Sequence, residues 1–569
     1  MNMNNRFRWL VCAAALAAAV VAVPVRAQED PPIELQVMIR LAPGYSIDAF
    51  NQQYGTQTLR SIVTRNTHLL LLPEGTNEEA WNNALRQNPP PGYLWSEINY
   101  DGQDGEGRTG SFYVAGVNAR NRYGTQYSRA TLRLAEAHQT ATGQGVIVAV
   151  LDTGVDATHP ELIDRLLPNG YNFVDDNANT LDLPDGQDND GDTLIDESHG
   201  HGTFMAGLVA MVAPDAKILP IKVLNSDGHG DGFLFAAGVY YAIDQGADVI
   251  NMSLGSTYNA KAVEEAIAEA VSKGIVVVGA AGNMAWEEPR EYPAMRSEVI
   301  GVVAVDENDV KAPFSNYNRK ASLSAPGVGI YSTIPTDGQG YQYAEWLGTS
   351  PSTALVSGAA ALVSQRVAHM PRTISKSLAI RTALEGSSVP IDHLNLPEYE
   401  RMLGVGRVDA AAAMTHDVSG TWLTGAIIRK GSLVGDGPWQ GLIEVGGGQM
   451  RVRSVLAGTG NHRMDLIVDA ATTIAQPSGI DLKVRSRLSV PAGTARLFLR
   501  DFTTNKWVKV DEYALGRTMQ AQRVNGLPAG NFIDSAGRIR VMIRHVVTVP
   551  PASNYFDSFI DQVQVTVRQ

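Results

Sequence analysis

Apolar runs alternate with segments of helical period from Gly145 onward, and this alternation constrains the fold more than any other feature of the chain. Neither the run Gly145–Leu151 nor the run Ile275–Val278 carries a charged residue. Between them, Asn259–Lys273 places apolar residues at helical spacing opposite glutamates, and Gly274 follows where a helix would end. Uncharged strands need cover on both faces, and helices between parallel strands supply it. The sequence therefore predicts an α/β domain with a doubly wound parallel sheet.

Three short strings in this region place a carboxylate, an imidazole and a hydroxyl: Asp152-Thr-Gly, His201-Gly-Thr and Gly-Thr-Ser350. A serine hydroxyl is a poor nucleophile at neutral pH, so it needs an imidazole to take its proton and a carboxylate to orient that imidazole. Ligands of an open α/β sheet gather beyond the carboxyl ends of its strands, where Asp152 and Asn283 are expected. Together the strings indicate a hydrolase with a serine nucleophile.

Other chemistries fit single strings but not the set. Asp-Thr-Gly also occurs in aspartic peptidases, but those need a second such string in a β-rich lobe, and this sequence has none. A zinc site made of His199, His201 and Asp196 or Glu197 stays an alternative, because two imidazoles and a carboxylate can hold a catalytic zinc ion.

The strings and their chain order resemble the motifs of the subtilisin-like serine peptidases, over roughly residues 124–414. The resemblance implies that Ser350 attacks the scissile carbonyl, that His201 is the general base and that Asp152 orients it. Asn283, with the backbone N–H of Ser350, would bind the oxyanion. Chemistry of this kind requires no cofactor.

The resemblance also implies how a protein or peptide substrate is held. Two backbone edges would pair with an extended peptide by strand addition, and a wall of small residues would leave room for a large side chain. The edges are Gly228, His229 and Gly230, and Ser253, Leu254 and Gly255; the wall is Gly279, Ala280, Ala281 and Gly282. Glu287, Glu288 and Glu291 follow the wall, so a preference for basic side chains is one alternative, and a simply solvated acidic loop is the other.

The residues after the serine depart from the family pattern, because Pro351-Ser-Thr-Ala354 stands where Met-Ala-x-Pro is usual. Proline is tolerated in the first helical turn, and it leaves the N–H of Ser350 intact, so we expect Ser350 to cap a helix in a working enzyme. The departure favours one alternative, a catalytically inactive subtilase scaffold that binds other molecules, as an adhesin does, through its C-terminal domain.

An acidic loop with several closely spaced oxygen ligands predicts a structural calcium site, although its spacing does not match an EF-hand. Its candidate ligands are Asp185, Asp188, Asp190, Asp192, Asp196 and Glu197.

The N-terminus predicts export. Residues 1–27 combine Arg6 and Arg8, an apolar stretch and small residues near Ala27, as a signal peptide does. The protein would then be secreted, or periplasmic in a host with two membranes, with no membrane partner after cleavage. Cys12, the single cysteine, would be removed with this segment, so no disulfide could form.

The remaining segments predict an ordered series of units. Residues 28–100 resemble a subtilase propeptide, which would act as the enzyme's own inhibitor, and residues 101–123, rich in glycine, predict an exposed flexible linker where processing occurs. Residues 124–414 would form the peptidase domain, and residues 415–569, with alternating strands, a β-sandwich similar to a jelly roll. The formal net charge of −13 argues against a nucleic-acid partner.

Overall fold

The computed structural model describes most of the 569-residue chain. The described ranges are residues 30–109, 111–336, 338–418, 421–430, 432–433, 450–456, 462–472, 474, 476–547 and 555–568. The predicted signal peptide at residues 1–27, with Cys12, lies outside them. Within these ranges no helix combines the length and the apolarity that crossing a membrane requires.

The N-terminal unit is a small α+β fold. Its elements are β1 (Pro32–Leu41), α1 (Ile47–Tyr54), β2 (Gln57–Ile62), β3 (Thr67–Leu71), α2 (Glu78–Gln87) and β4 (Tyr93–Gln103). The strands pair antiparallel in the order β2-β3-β1-β4. Ser46 and Asn77 accept backbone N–H groups at the starts of the two helices, which satisfies donors that a first helical turn leaves free.

The central unit is built around a parallel sheet, as the alternating pattern predicts. Its strands are β5 (Val114–Ala115), β6 (Ile147–Asp152), β7 (Tyr171–Asn172), β8 (Lys217–Lys222), β9 (His229–Asp231), β10 (Val249–Met252), β11 (Val276–Ala280), β12 (Ile300–Val305), β13 (Leu323–Pro326), β14 (Ile330–Thr333) and β15 (Tyr343–Trp346). Its helices are α3 (Ala119–Thr125), α4 (Tyr127–Thr131), α5 (Leu134–Ala137), α6 (His201–Val212), α7 (Gly232–Asp244), α8 (Lys261–Ser272), α9 (Thr349–Arg366), α10 (Ile374–Gly386) and α11 (Ala410–Ala413). Seven strands lie in the order β13-β12-β11-β10-β6-β8-β7, all parallel.

Successive residues of β6 pack into different cores, which is why the strand is apolar throughout. Val148 and Val150 join a cluster that includes residues of α6 and α9, whereas Ala149 and Leu151 join one that includes residues of α7 and α8. Side chains alternate between the two faces of a strand, so each face of the sheet is covered by its own pair of helices. The predicted doubly wound α/β core is confirmed.

The N-terminal unit packs on the outer side of α7 and α8. Met38 and Leu69 belong to the same apolar cluster as these helices. The carboxylate of Glu97 accepts the first two N–H groups of α8, each at 2.7 Å. Arg65 forms ion pairs with one acidic residue of each helix, at 2.9 and 2.8 Å. Apolar, capping and ionic contacts therefore all hold this unit in place.

The prediction that residues 101–123 form an exposed flexible linker is wrong for residues 101–108. β4 continues to Gln103, and the side chains of Asp104 and Glu106 are completely buried. Glycine content and polarity indicated exposure, but the polar groups here find hydrogen-bond partners in the central unit, which makes burial tolerable. A short 3₁₀ helix, Gly107–Thr109, follows.

The C-terminal unit consists of two antiparallel sheets that share one apolar core. Its strands are β16 (Thr421–Lys430), β17 (Ser432–Leu433), β18 (Met450–Arg453), β19 (Val455–Leu456), β20 (His462–Thr472), β21 (Gly479–Leu488), β22 (Gly493–Asp501), β23 (Lys506–Leu515), β24 (Gln520–Pro528), β25 (Arg538–Val547) and β26 (Asp557–Arg568). The orders are β16-β20-β25-β22-β23 and β17-β18-β26-β21-β24. Leu466 of β20 and Val484 of β21 both lie in the shared core, so the predicted β-sandwich is confirmed.

Candidate active site

Asp152 and His201 meet at the carboxyl end of the parallel sheet. Asp152 is the last residue of β6 and His201 is the first residue of α6. The two side chains are fully buried, and His201 Nδ1 lies 2.7 Å from Asp152 Oδ1. Asp152 Oδ1 also accepts the N–H of Thr153 at 2.8 Å. A carboxylate in this position orients the imidazole and stabilises its protonated form.

Asp182 ties these two elements together, although no sequence signal singled it out. Its buried carboxylate accepts hydrogen bonds from the Thr153 hydroxyl, at 3.1 Å, and from the N–H of Gly200, at 3.1 Å. It also accepts the hydroxyl of Thr203 at 2.8 Å. Asp182 therefore connects the end of β6 to the start of α6 and fixes the separation of Asp152 and His201.

Ser350 and Asn283 lie together at the start of α9. Ser350 is the second residue of the helix, so the expectation that it caps the helix is wrong; Gly348, with φ of 156°, precedes the first turn instead. The Asn283 side-chain oxygen accepts both the N–H and the hydroxyl of Thr349, each at 2.9 Å. These two bonds leave the Asn283 amide nitrogen facing the site.

The carboxylate of Glu106 occupies the centre of the site. Its Oε2 accepts the Ser350 hydroxyl at 2.6 Å and lies 3.2 Å from His201 Nε2. Its Oε1 accepts the amide N–H of Asn283 at 3.0 Å. The hydroxyl and the imidazole therefore contact the same carboxylate oxygen, and the amide that would bind an oxyanion is also engaged.

Buried carboxylates also determine the charge of the imidazole. The pKa of His201 is raised well above its usual value: burial lowers it, but the negative charges of Asp152 and Asp104 and the hydrogen bond to Glu106 outweigh burial. Burial raises the pKa of Asp104, whose carboxylate lies 3.9 Å from His201 Nδ1, to about 6. In this arrangement the surrounding carboxylates favour the protonated form of His201, which cannot accept the proton of Ser350.

The chain's own residues 101–104 lie between the two predicted substrate edges. β4 pairs antiparallel with β9, so Gly102 lies opposite Gly230 and Gln103 opposite His229. Gln103 also exchanges two backbone hydrogen bonds with Gly255, both of 2.9 Å. The N–H of Asp104 donates to the carbonyl of Gly228 at 3.1 Å. The predicted edges hold an extended segment here, in the manner of strand addition.

The remaining predicted substrate residues line the same region. Ser253 and Leu254 precede Gly255 and are buried, and the Ser253 carbonyl accepts the Ser350 hydroxyl at 3.3 Å. The small residues at 279–282 are buried at the end of β11, immediately before Asn283. Of the three glutamates that follow, Glu287 and Glu288 are exposed, whereas Glu291 is buried.

The predicted calcium ligands divide into three groups. Asp188, Asp190 and Asp192 are exposed, and each offers a carboxylate oxygen within 4.8 Å of the others. Asp185 is also exposed, and its N–H and that of Gly186 donate to Asp196, which closes the loop. Glu197 is buried, and burial raises its pKa to about 7.

Glu106, Asp104 and Arg108 are site residues that the sequence interpretation missed. They lie in the segment that glycine content marked as a linker, so their acidic and basic side chains looked solvated. No periodic signal marked them, because Asp101-Gly-Gln-Asp104 after Tyr100 contains no apolar residue that would continue the alternation of β4. Nothing in the sequence indicated that Glu106 would contact the serine.

The chain is similar to known peptidases over this unit. Residues 143–406 match the model described as the Subtilase family. Thermitase from Thermoactinomyces vulgaris is 37% identical over 273 residues, which cover 46% of this chain and 88% of thermitase. Subtilisin BL from Lederbergia lenta is 36% identical over 281 residues, covering 48% and 91% of the two chains. The thermophilic serine proteinase of Bacillus sp. (strain AK1) is 36% identical over 353 residues, covering 60% and 77%.

The chain therefore belongs to the subtilase family. It is a subtilisin-like serine endopeptidase, as the fold and these relatives together establish.

Proposed function

We propose that this protein is an exported endopeptidase that removes its own N-terminal unit and then hydrolyses other proteins through Asp152, His201 and Ser350. One observation carries the proposal: Ser350, His201 and Asn283 converge on a single carboxylate, next to an extended segment held on the substrate edges. The three groups are thus within reach of one reacting centre.

Peptide hydrolysis can begin once the Glu106 carboxylate leaves the centre of the active site. Ser350 then donates its proton to His201 Nε2 and attacks the scissile carbonyl, while Asp152 stabilises the imidazolium that forms. The amide of Asn283 and the backbone N–H of Ser350 bind the oxyanion; in subtilisin, loss of the equivalent asparagine costs about 2.7–4 kcal/mol. His201 protonates the leaving amine, and water then hydrolyses the acyl-enzyme by the same groups.

The N-terminal unit is the proposed inhibitor of the unprocessed protein. Residues 101–104 fill the edges on which a substrate would lie, and Glu106 holds both the nucleophile and the oxyanion donor. Its hydrogen bond to His201 also favours the protonated form of the imidazole. The uncut chain would thus be inactive towards other proteins for three separate reasons: occupied edges, an engaged nucleophile and a protonated base.

Export follows from the N-terminal sequence alone, through residues 1–27. We expect proteins and peptides as substrates. The formal net charge of −13 argues against a nucleic-acid partner.

Covalent labelling tests the nucleophile directly. Processed protein is treated with a fluorophosphonate, digested, and mapped by mass spectrometry, with casein hydrolysis followed in parallel. We expect one adduct, on Ser350, whose formation abolishes casein hydrolysis. Full loss of activity with an adduct on another serine would contradict the assignment, and full activity in protein labelled at Ser350 would contradict it as well.

The acidic loop is the proposed structural calcium site. The chemistry of the donors fits a hard cation, because Asp188, Asp190 and Asp192 offer clustered carboxylate oxygens. Neither carboxylate oxygen of Glu197 has a hydrogen bond to another described residue, and a buried carboxylate without a partner destabilises a fold. A bound cation would compensate this negative charge.

Chelation is expected to lower the melting temperature. At calcium concentrations about 100 times Kd, binding contributes about 2.7 kcal/mol, which corresponds to a shift of roughly 5 °C for a domain of this size. Scanning calorimetry with and without EGTA measures the shift. Glu197→Gln should reduce the response to calcium; an unchanged melting temperature on chelation of the wild type would exclude a stabilising site.

A further inference from the structure

Glu291 lies between the two surfaces that would enclose the side chain of a bound substrate. Its Oε1 is 2.6 Å from where a Cβ on Gly255 would lie, and its Oε2 is 3.2 Å from the corresponding point on Gly282. Two backbone hydrogen bonds of 2.8 Å between Ser256 and Tyr292 attach the Glu291 segment to the substrate edge. The acidic group is thus built into the end of the substrate pocket, while Glu287 and Glu288 face solvent.

An arginine of the chain itself occupies this pocket. The side chain of Arg108 is nine-tenths buried, and its Nη2 lies 3.5 Å from Glu291 Oε1 and 3.0 Å from Asp30 Oδ1. Gly105 lies close to the oxyanion donor, since a Cβ on it would come 2.7 Å from Asn283 Nδ2.

Arg108 and Asp30, which form an ion pair beside Glu291, both belong to segments that processing would displace. Asp30 lies in the N-terminal unit, and Arg108 lies just beyond the residues held on the substrate edges. Burial raises the pKa of Glu291 to about 7, which reflects the cost of a carboxylate in this position. Once Arg108 withdraws, the buried carboxylate lacks a cation, and a basic substrate side chain would restore the pair.

We propose that Glu291 selects arginine or lysine at the residue before the scissile bond, so that this enzyme cleaves after basic residues. The proposal rests on the endopeptidase function proposed above and specifies its substrate class. Arginine, with its planar fork of donors, fits a carboxylate better than lysine, so we expect arginine to be preferred over lysine.

The test compares kcat/KM for peptides that differ only at the residue before the cleaved bond: arginine, lysine, leucine or phenylalanine. Processed wild type should prefer arginine over leucine by about ten-fold or more, equivalent to about 1.4 kcal/mol. Glu291→Gln should reduce this ratio at least ten-fold, through a lower kcat/KM for the arginine peptide. Partial misfolding of a variant lowers its apparent kcat/KM equally for every peptide, so it does not change the ratio measured within that variant.

Glu287→Gln and Glu288→Gln are matched controls, since both residues are exposed on the same loop. They should keep the wild-type ratio; an equal loss of preference in either would assign the effect to loop charge and overturn the role of Glu291. An unchanged ratio in Glu291→Gln, or a wild type that prefers leucine, would overturn the specificity proposal alone. A wild type that cleaves none of the four peptides and no casein would overturn the endopeptidase function itself.

Discussion

Ser350→Ala will keep the full-length chain intact under conditions in which purified wild type loses its N-terminal unit. The substitution removes the hydroxyl that must attack the carbonyl and leaves the buried contacts of α9 otherwise in place. In subtilisin, loss of the nucleophile lowers kcat by about 2 × 10⁶, so no processing is expected within days. Intact-mass measurement is the assay. The wild-type fragment should end at or next to Gly105, which lies beside Asn283, because this bond is held in place within the same chain and does not need the side-chain preference proposed for separate substrates.

Ser364→Ala is the matched control. Ser364 is buried in the same helix, and its hydroxyl has no hydrogen-bond partner among the described residues, so its loss should not affect processing. Self-processing by purified Ser350→Ala would mean that another group is the nucleophile. Wild type and Ser350→Ala could both stay whole, and wild-type protein cut artificially between residues 101 and 120 could also fail to hydrolyse casein. These two results together would support the alternative of a binding protein with an inactive scaffold.

Glu106→Ala should process itself about ten-fold faster than wild type, or more. Wild type must first break the hydrogen bonds from Glu106 to Ser350 and Asn283, and a hydrogen bond to a charged group contributes about 1.5–3 kcal/mol. Alanine removes both contacts and frees the oxyanion site. The rate is measured as the half-time for loss of the N-terminal unit after refolding, again by intact mass.

Glu106→Gln separates the charge of the side chain from its bulk. Carboxylates raise the pKa of His201, so loss of one negative charge lowers this pKa, and the neutral base becomes available at lower pH. The rising limb of the processing rate should therefore move to lower pH in Glu106→Gln, with a rate between those of wild type and Glu106→Ala. Unchanged rates in both variants would exclude a blocking role, and slower processing in Glu106→Ala would mean that Glu106 assists the reaction.

The predictable parts of this protein are those that depend on local pattern. The apolar run that forms β6 and the helical stripe of α8 are explicit in the sequence, and both elements form within two residues of their predicted bounds. Asp152 and Asn283 each follow an apolar strand run, so their position at one edge of the sheet could be anticipated before any distance was known. His201 and Ser350 begin helices, and only the family resemblance grouped them with Asp152.

What could not be predicted depends on contacts between distant segments. Glu106 meets Ser350 across 244 residues of sequence, and Arg108 reaches Glu291 only because β4 enters the cleft. In sequence these side chains belong to a polar, glycine-rich stretch, which composition assigns to solvent. Burial of such a stretch is determined by partners that its own composition does not reveal.

The contacts of the N-terminal unit with α7 and α8 do not depend on the bond that the proposed processing would break. Glu97 would still accept the first N–H groups of α8, and Arg65 would still face Asp244 and Glu269, in a complex of two separate chains. Scission and dissociation would therefore be distinct events with distinct rates. High ionic strength weakens the ion pairs of Arg65 with the partly exposed Asp244 and Glu269, so it would act on dissociation. Because dissociation follows scission, the onset of proteolysis would lag behind the change in mass that scission produces.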